Sequence, residues 1–122
     1  MFELTVEDHF AAAHQLRNYN GKCEKLHGHN WKVQVTVTAE RLNEIGLAMD
    51  FTDIKKLTRE VLDSLEHNFL NEIFPFTELN PSSENIARWI YETIKKKINS
   101  NSIVVSSVSV WESDTASATY YE

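Results

Sequence analysis

Two histidines separated by one residue, in Cys23-Glu24-Lys25-Leu26-His27-Gly28-His29, are the most chemically suggestive feature of the sequence. On an extended chain, side chains at i and i+2 project to the same side, so both imidazoles can grip one ion. Counting on in twos from His27 and His29 reaches Trp31, Val33 and Val35, which puts the pair on the apolar face of a strand. His14 ends an earlier alternating stretch, and an antiparallel return would bring it beside them. Neutral nitrogen ligands on three sides with an exchangeable fourth position are the arrangement of catalytic zinc. An HxH pair also occurs as two unrelated histidines, so its neighbours must decide between the readings. His9, next to Asp8 and opposite in parity to His14, is expected to make an ordinary hydrogen bond instead.

Cys23 lies four residues before His27, in the loop that must carry the chain from His14 to the pair. Three readings stand for it: a small buried hydrophobe, a fourth metal ligand that would close the site, or a thiol beside a cation whose lowered pKa favours the reactive thiolate. In Leu65-Glu66-His67-Asn68 an acid precedes a histidine, which suits proton transfer, although a histidine at a helix end also interacts with the macrodipole. Glu112 continues the parity of Val104, Val108 and Val110, so it is expected as a carboxylate on a buried strand face. Such a group must be paired or serve a ligand; a strand end, where parity matters less, is the other explanation.

The elements that must position these residues follow from periodicity. Phe2, Leu4 and Val6 alternate with Glu3, Thr5 and Glu7, which predicts a strand running toward Ala13-His14. Asn30 to Ala39 repeats the pattern, with Trp31, Val33, Val35, Val37 and Ala39 on one face. The period then becomes helical: Ile54, Leu57, Val61, Leu62 and Leu65 follow Thr52 or Asp53 as N-cap. After Pro75 and Pro81, the run Ser82-Ser83-Glu84 starts a second helix with the stripe Ile86, Trp89, Ile90, Ile94 and Ile98. Asn99 to Ser102 reads as a turn, and Ile103 to Glu112 with Ala116 to Tyr121 as a hairpin. The order ββααββ implies an α+β domain, an antiparallel sheet with both helices packed on one face.

Composition narrows the function. The chain has 122 residues, and no linker or repeat divides it, so residues 1–122 are expected to form one domain. A domain of this size has a modest core, and oligomerisation would add burial. A net charge of -6, with no basic run longer than Lys95-Lys96-Lys97, argues against nucleic acid as partner. No stretch resembles a signal peptide or a membrane span, and the single cysteine precludes an internal disulfide, so a reducing, cytoplasmic setting is expected.

Taken together, Ala11-Ala12-Ala13-His14, the CxxxHGH stretch, Met49 to Lys55, Leu65 to Asn71, Pro81 to Ala87 and Val110-Trp111-Glu112-Ser113 closely resemble the 6-pyruvoyltetrahydropterin synthase family. Within it the resemblance is strongest to the bacterial 6-carboxytetrahydropterin synthases of the queuosine (7-deazaguanine) pathway. It implies the ββααββ tunnelling fold, with trimers stacked into hexamers, strands of neighbouring subunits closing a barrel, and sites at the interfaces. It also implies Zn²⁺ held by His14, His27 and His29, Cys23 as the proton-transferring thiol, and Glu66 with His67 as an acid-histidine dyad. Glu112 would hold the pterin edge, with Ser83 and Glu84 as further pterin contacts. The dyad departs from the pyruvoyl enzymes, which carry Asp where this chain has Glu66. The implied reaction turns 7,8-dihydroneopterin triphosphate into 6-carboxy-5,6,7,8-tetrahydropterin, acetaldehyde and triphosphate. The alternatives are triphosphate elimination without side-chain cleavage, and a non-catalytic zinc- or pterin-binding homologue. Lys25, Lys55, Lys56 and Arg17 are candidate triphosphate contacts on an acidic chain.

Overall fold

The structure is a computed structural model and describes residues 1–98 and 100–122; Asn99, the first residue of the expected turn, lies outside the described residues. Strands β1 (Phe2–His14), β2 (His27–Ala39), β3 (Ile103–Ser113) and β4 (Ala116–Tyr121) form one antiparallel sheet in the order β1-β2-β3-β4. Helices α1 (Phe51–Asp63) and α2 (Ser83–Lys97) lie between β2 and β3 in the chain. This is the expected α+β arrangement.

One face of the sheet is apolar because strand side chains alternate. Val6, Phe10 and Ala12 of β1 join Trp31, Val33, Val35, Val37 and Ala39 of β2, then Ile103, Val105, Val108 and Val110 of β3, all buried. The helices close this face with Ile54, Val61 and Leu62 from α1 and Ile86, Ala87, Ile90, Tyr91 and Ile94 from α2. Each large aliphatic side chain so buried contributes about 1.5–3 kcal/mol. The opposite face carries Thr5, Glu7, Lys32, Gln34, Thr36, Ser107 and Ser109, none of them buried.

Three details differ from the expectation. The second strand begins at His27, not Asn30, because the pairing runs on through Ala12↔His29 to His14↔His27. Helix α1 starts earlier and is capped by Asp50, whose carboxylate accepts from the Thr52 N–H at 2.8 Å, so Thr52 and Asp53 lie inside the first turn. Val104 does not share a face with Val108 and Val110: it is exposed, and Val105 is buried in its place. The register shifts where Thr36 pairs with Ser107 but Val37 with Val105, so Ser106 is an extra residue that reverses the parity. Counted only from Val108 and Val110, the parity of Glu112 holds.

Candidate metal centre

The imidazoles of His14, His27 and His29 converge at the end of the β1–β2 ladder, and Glu112 reaches them from β3. One ligand atom from each of the four lies within 4.8 Å of every other. Trp31 forms the floor. Its ring stands edge-on to His14 at 4.8 Å and to His29 at 5.0 Å between centroids, and its indole N–H donates to the Ala12 carbonyl at 3.2 Å. His14 is buried, whereas His27, His29 and Glu112 are half-buried, so the cluster opens toward solvent on one side.

Hydrogen bonds fix which nitrogens face the centre. His14 Nδ1 is 2.8 Å from the Pro81 carbonyl and His27 Nδ1 is 2.7 Å from the Lys25 carbonyl. A carbonyl only accepts, so each Nδ1 carries the proton and each Nε2 of the neutral ring presents a bare lone pair. These two Nε2 atoms are 3.1 Å apart. Two lone pairs at that range repel unless a cation or a proton lies between them. His29 Nε2 comes within 3.0 Å of Glu112 Oε1, an ion-pair distance, but off the line of a good hydrogen bond. Backbone carbonyls orienting the outer nitrogens of inward-facing imidazoles are what metal-ligating histidines require. The donor set therefore fits a divalent ion, and nitrogen with carboxylate suits zinc. His29 titrates below its ordinary value: burial lowers it most, Glu112 opposes, and the two other imidazoles lower it further.

Long-range contacts hold the segment after His14 in place. The Asn71 amide pairs with Gln15 as a strand would, accepting from its N–H at 2.9 Å and donating to its carbonyl at 2.7 Å. Asn80 does the same to Arg17, at 2.8 and 3.0 Å. Sequence reasoning missed both asparagines and the Pro81 and Lys25 carbonyls; the Asn71 and Asn80 contacts span more than fifty residues and leave no local signal. Arg17, a candidate triphosphate contact, is occupied otherwise: its guanidinium donates to the carbonyls of Leu79, Asn71 and Phe76.

The remaining expected residues are distributed around this centre. Cys23 is exposed on the loop between β1 and β2 and is not among the four converging residues. Glu112 also lines a depression of about 310 Å³ with Ser83, Glu84, Ala116, Ser117 and Ala118, so the three expected pterin contacts share one cavity. Glu66 and His67 lie on the far side of β1. The Glu66 carboxylate accepts from the Ala11 N–H at 2.6 Å and approaches Arg59 at 3.6 Å. The His67 N–H donates to the Ala11 carbonyl at 2.7 Å, which pins this segment along the free edge of β1. His67 has φ of 58°, a left-handed conformation unusual outside glycine. The residue lines a shallow depression of about 500 Å³ with Ala11, Ala13, Gly28, His29 and Asn30. Among the described residues, no hydrogen bond joins its imidazole to Cys23, Glu66 or the three clustered histidines. His9 is exposed, and its N–H is held by Asp8 Oδ1 at 2.7 Å.

Residues 3–122 match the family model of 6-pyruvoyl tetrahydropterin synthase. A 6-carboxy-5,6,7,8-tetrahydropterin synthase of Synechocystis is 36% identical, with 99% of this chain and 94% of that protein covered. A dihydroneopterin monophosphate aldolase of Pyrococcus furiosus is 37% identical over 84% of this chain and 82% of its own length. Among solved structures, the 6-pyruvoyl tetrahydropterin synthase of Caenorhabditis elegans superposes with a TM-score of 0.83 at 27% identity, covering 100% of this chain and 97% of that one.

Proposed function

Because the chain belongs to the 6-pyruvoyl tetrahydropterin synthase family, we propose that it is a zinc-dependent 6-carboxytetrahydropterin synthase. It would convert 7,8-dihydroneopterin triphosphate into 6-carboxy-5,6,7,8-tetrahydropterin with release of acetaldehyde and triphosphate, serving 7-deazaguanine (queuosine) synthesis in the cytoplasm. Residues 1–122 act as one domain in this reading. The observation that carries it is the convergence of His14, His27, His29 and Glu112 next to the cavity lined by Ser83 and Glu84. The name of the Synechocystis relative favours the carboxy product.

His14, His27 and His29 would hold the metal, which when bound would supply a positive charge that acidifies neighbouring C–H bonds. Ionised Glu112 accepts two hydrogen bonds from the pterin amino group and the adjacent ring N–H, which fixes the face presented to the centre. Ser83 and Glu84 flank that edge. Cys23, as thiolate, takes a carbon-bound proton, and His67 passes protons on or returns one to the ring. Glu66 acts through its grip on the Ala11 N–H and Arg59, which positions the His67 backbone. No hydrogen bond links His67 to the histidine cluster of its own chain among the described residues, and in this reading a second copy of the chain brings a further His67 toward each metal centre. A homo-oligomer, trimeric or hexameric, with sites at its interfaces supplies that copy and pairs the remaining sheet edges. With Arg17 engaged, Lys25, Lys55 and Lys56 remain as candidates for the triphosphate, and the Lys25 carbonyl already meets His27.

The test is purified protein with 7,8-dihydroneopterin triphosphate, with and without chelator, followed by mass analysis of the pterin and an acetaldehyde assay. Acetaldehyde with a carboxypterin, lost on chelation and restored by zinc, is the expected result. Triphosphate elimination without acetaldehyde identifies the pyruvoyl-type reaction. Turnover of the monophosphate instead aligns the chain with the Pyrococcus furiosus relative. Pterin and zinc binding without turnover identifies a non-catalytic homologue.

A further inference from the structure

Glu112 stands closer to the histidines than a residue devoted only to the pterin edge would need to stand. Its Oε1 is 3.0 Å from His29 Nε2 and 3.3 Å from His14 Nε2, while His14 and His27 are separated by 3.1 Å. Around a tetrahedral ion with bonds of about 2.0–2.1 Å, neighbouring ligand atoms are about 3.3–3.4 Å apart. The three short separations approach that spacing. Electrostatics says the same: His14 Nε2 is a lone pair, because its Nδ1–H is given to Pro81, and a carboxylate oxygen beside a lone pair is repulsive without a cation to share. His29 Nε2 and Glu112 Oε1, 3.0 Å apart and off hydrogen-bond geometry, both belong to the set of ligand atoms that converge.

Backbone irregularity gives Glu112 freedom to leave. Trp111 pairs with Ser117 and Ser113 with Ala116, so Glu112 falls at the register shift between β3 and β4 and is released from the ladder. A bulge at such a place re-aims a side chain. The carboxylate is 38% exposed and borders both the histidine cluster and the cavity of Ser83 and Glu84.

The geometry points to Glu112 as an exchangeable fourth ligand, closing the coordination of the resting ion and leaving it when the pterin amino edge claims the carboxylate. The inference rests on the pterin reading above for its second half. The coordination position needed for chemistry then opens only after the substrate is seated, and an idle Lewis acid is kept from other ligands. A permanent fourth ligand would make the centre purely structural, whereas an exchangeable one makes pterin and metal antagonists at this carboxylate.

The experiment titrates zinc against a chromophoric chelator with the full-length protein, Glu112→Gln and Glu112→Ala, at neutral pH, each with and without unsubstituted pterin. Pterin binding is followed separately by its fluorescence, and melting curves establish that the variants fold. Both variants are expected to hold zinc at least about tenfold more weakly than wild type, the loss that follows when a ligand or its support is removed. In the wild type, saturating pterin should weaken zinc binding several-fold, and zinc should weaken pterin binding by the same factor, since coupling is reciprocal. Unchanged zinc affinity in folded variants overturns Glu112 as a ligand. Pterin that binds the wild type without altering zinc affinity overturns the exchange. If pterin does not bind at all while the variants still lose zinc, the exchange and the pterin reading both fall and the fourth ligand stands.

Discussion

Removing His27 separates the cost to the metal from the cost to the fold. His27 is half-buried at the mouth of the cluster, and its Nδ1 is hydrogen-bonded to the Lys25 carbonyl. In metal-free protein its Nε2 faces that of His14 at 3.1 Å, a contact that repels when both atoms are lone pairs and attracts when they share a proton. His27→Ala should therefore change the stability of the chelated protein by no more than about 1 kcal/mol, in either direction. The effect on the metal is much larger. Spreading the roughly 10–16 kcal/mol of a four-ligand protein zinc site evenly gives about 2.5–4 kcal/mol per ligand, or roughly 10²–10³-fold in affinity. The assay is zinc content after dialysis, with competition titration for the constant, beside His9→Ala as control. His9 is exposed and outside the cluster, so His9→Ala should keep its zinc. Equal zinc loss from both variants would refute the argument from strand parity and ladder register.

Other outcomes follow from the same geometry. Cys23→Ser should retain zinc within about twofold while turnover falls at least about 10²-fold, as loss of a proton-transfer group does; zinc lost with the thiol would make Cys23 a ligand. His67→Gly should leave the melting temperature unchanged or raised, because glycine accepts the positive φ at position 67, yet abolish turnover; a destabilised fold would show that the imidazole is structural. Glu66→Ala should cost about 1–3 kcal/mol by orphaning the Ala11 N–H, measured by denaturant unfolding, and a silent substitution would refute that contact. The depressed titration of His29 sets a pH dependence for the chelated protein. Its stabilising contribution is complete above 6.5, the unfolded value, and is lost as pH falls toward the lower folded value, since the unfolded chain takes the proton first. Stability that rises on acidification from 6.5 would contradict the burial that causes the shift.

Periodicity made much of this architecture readable in advance, and its failures have local causes. Alternation placed Trp31, Val33, Val35 and Val37 on the core face, and carrying the same count back to His27 and His29 placed the imidazoles correctly. The count failed at Val104 because one extra residue, Ser106, reverses parity, and no sequence pattern marks a bulge. Asp50 displaced the expected cap because Asp50, Thr52 and Asp53 are all capping residue types, and only the backbone distinguishes them. Arg17 looked like a free cation until three carbonyls of the 71–79 segment were seen to surround it. The proximity of Glu112 to the histidines depends on β3 lying beside β2, a pairing between segments more than sixty residues apart. Parity indicated a carboxylate on a buried strand face; the structure leaves it 38% exposed at the strand end, with partners that topology supplied.

The most direct test of the central claim is a crystal structure of zinc-loaded protein with anomalous diffraction measured at the zinc edge. The account expects one strong peak among His14 Nε2, His27 Nε2 and His29 Nε2, with the Cys23 sulfur outside bonding distance. A peak elsewhere, or none, in crystals of protein that turns over fully after chelation would contradict it.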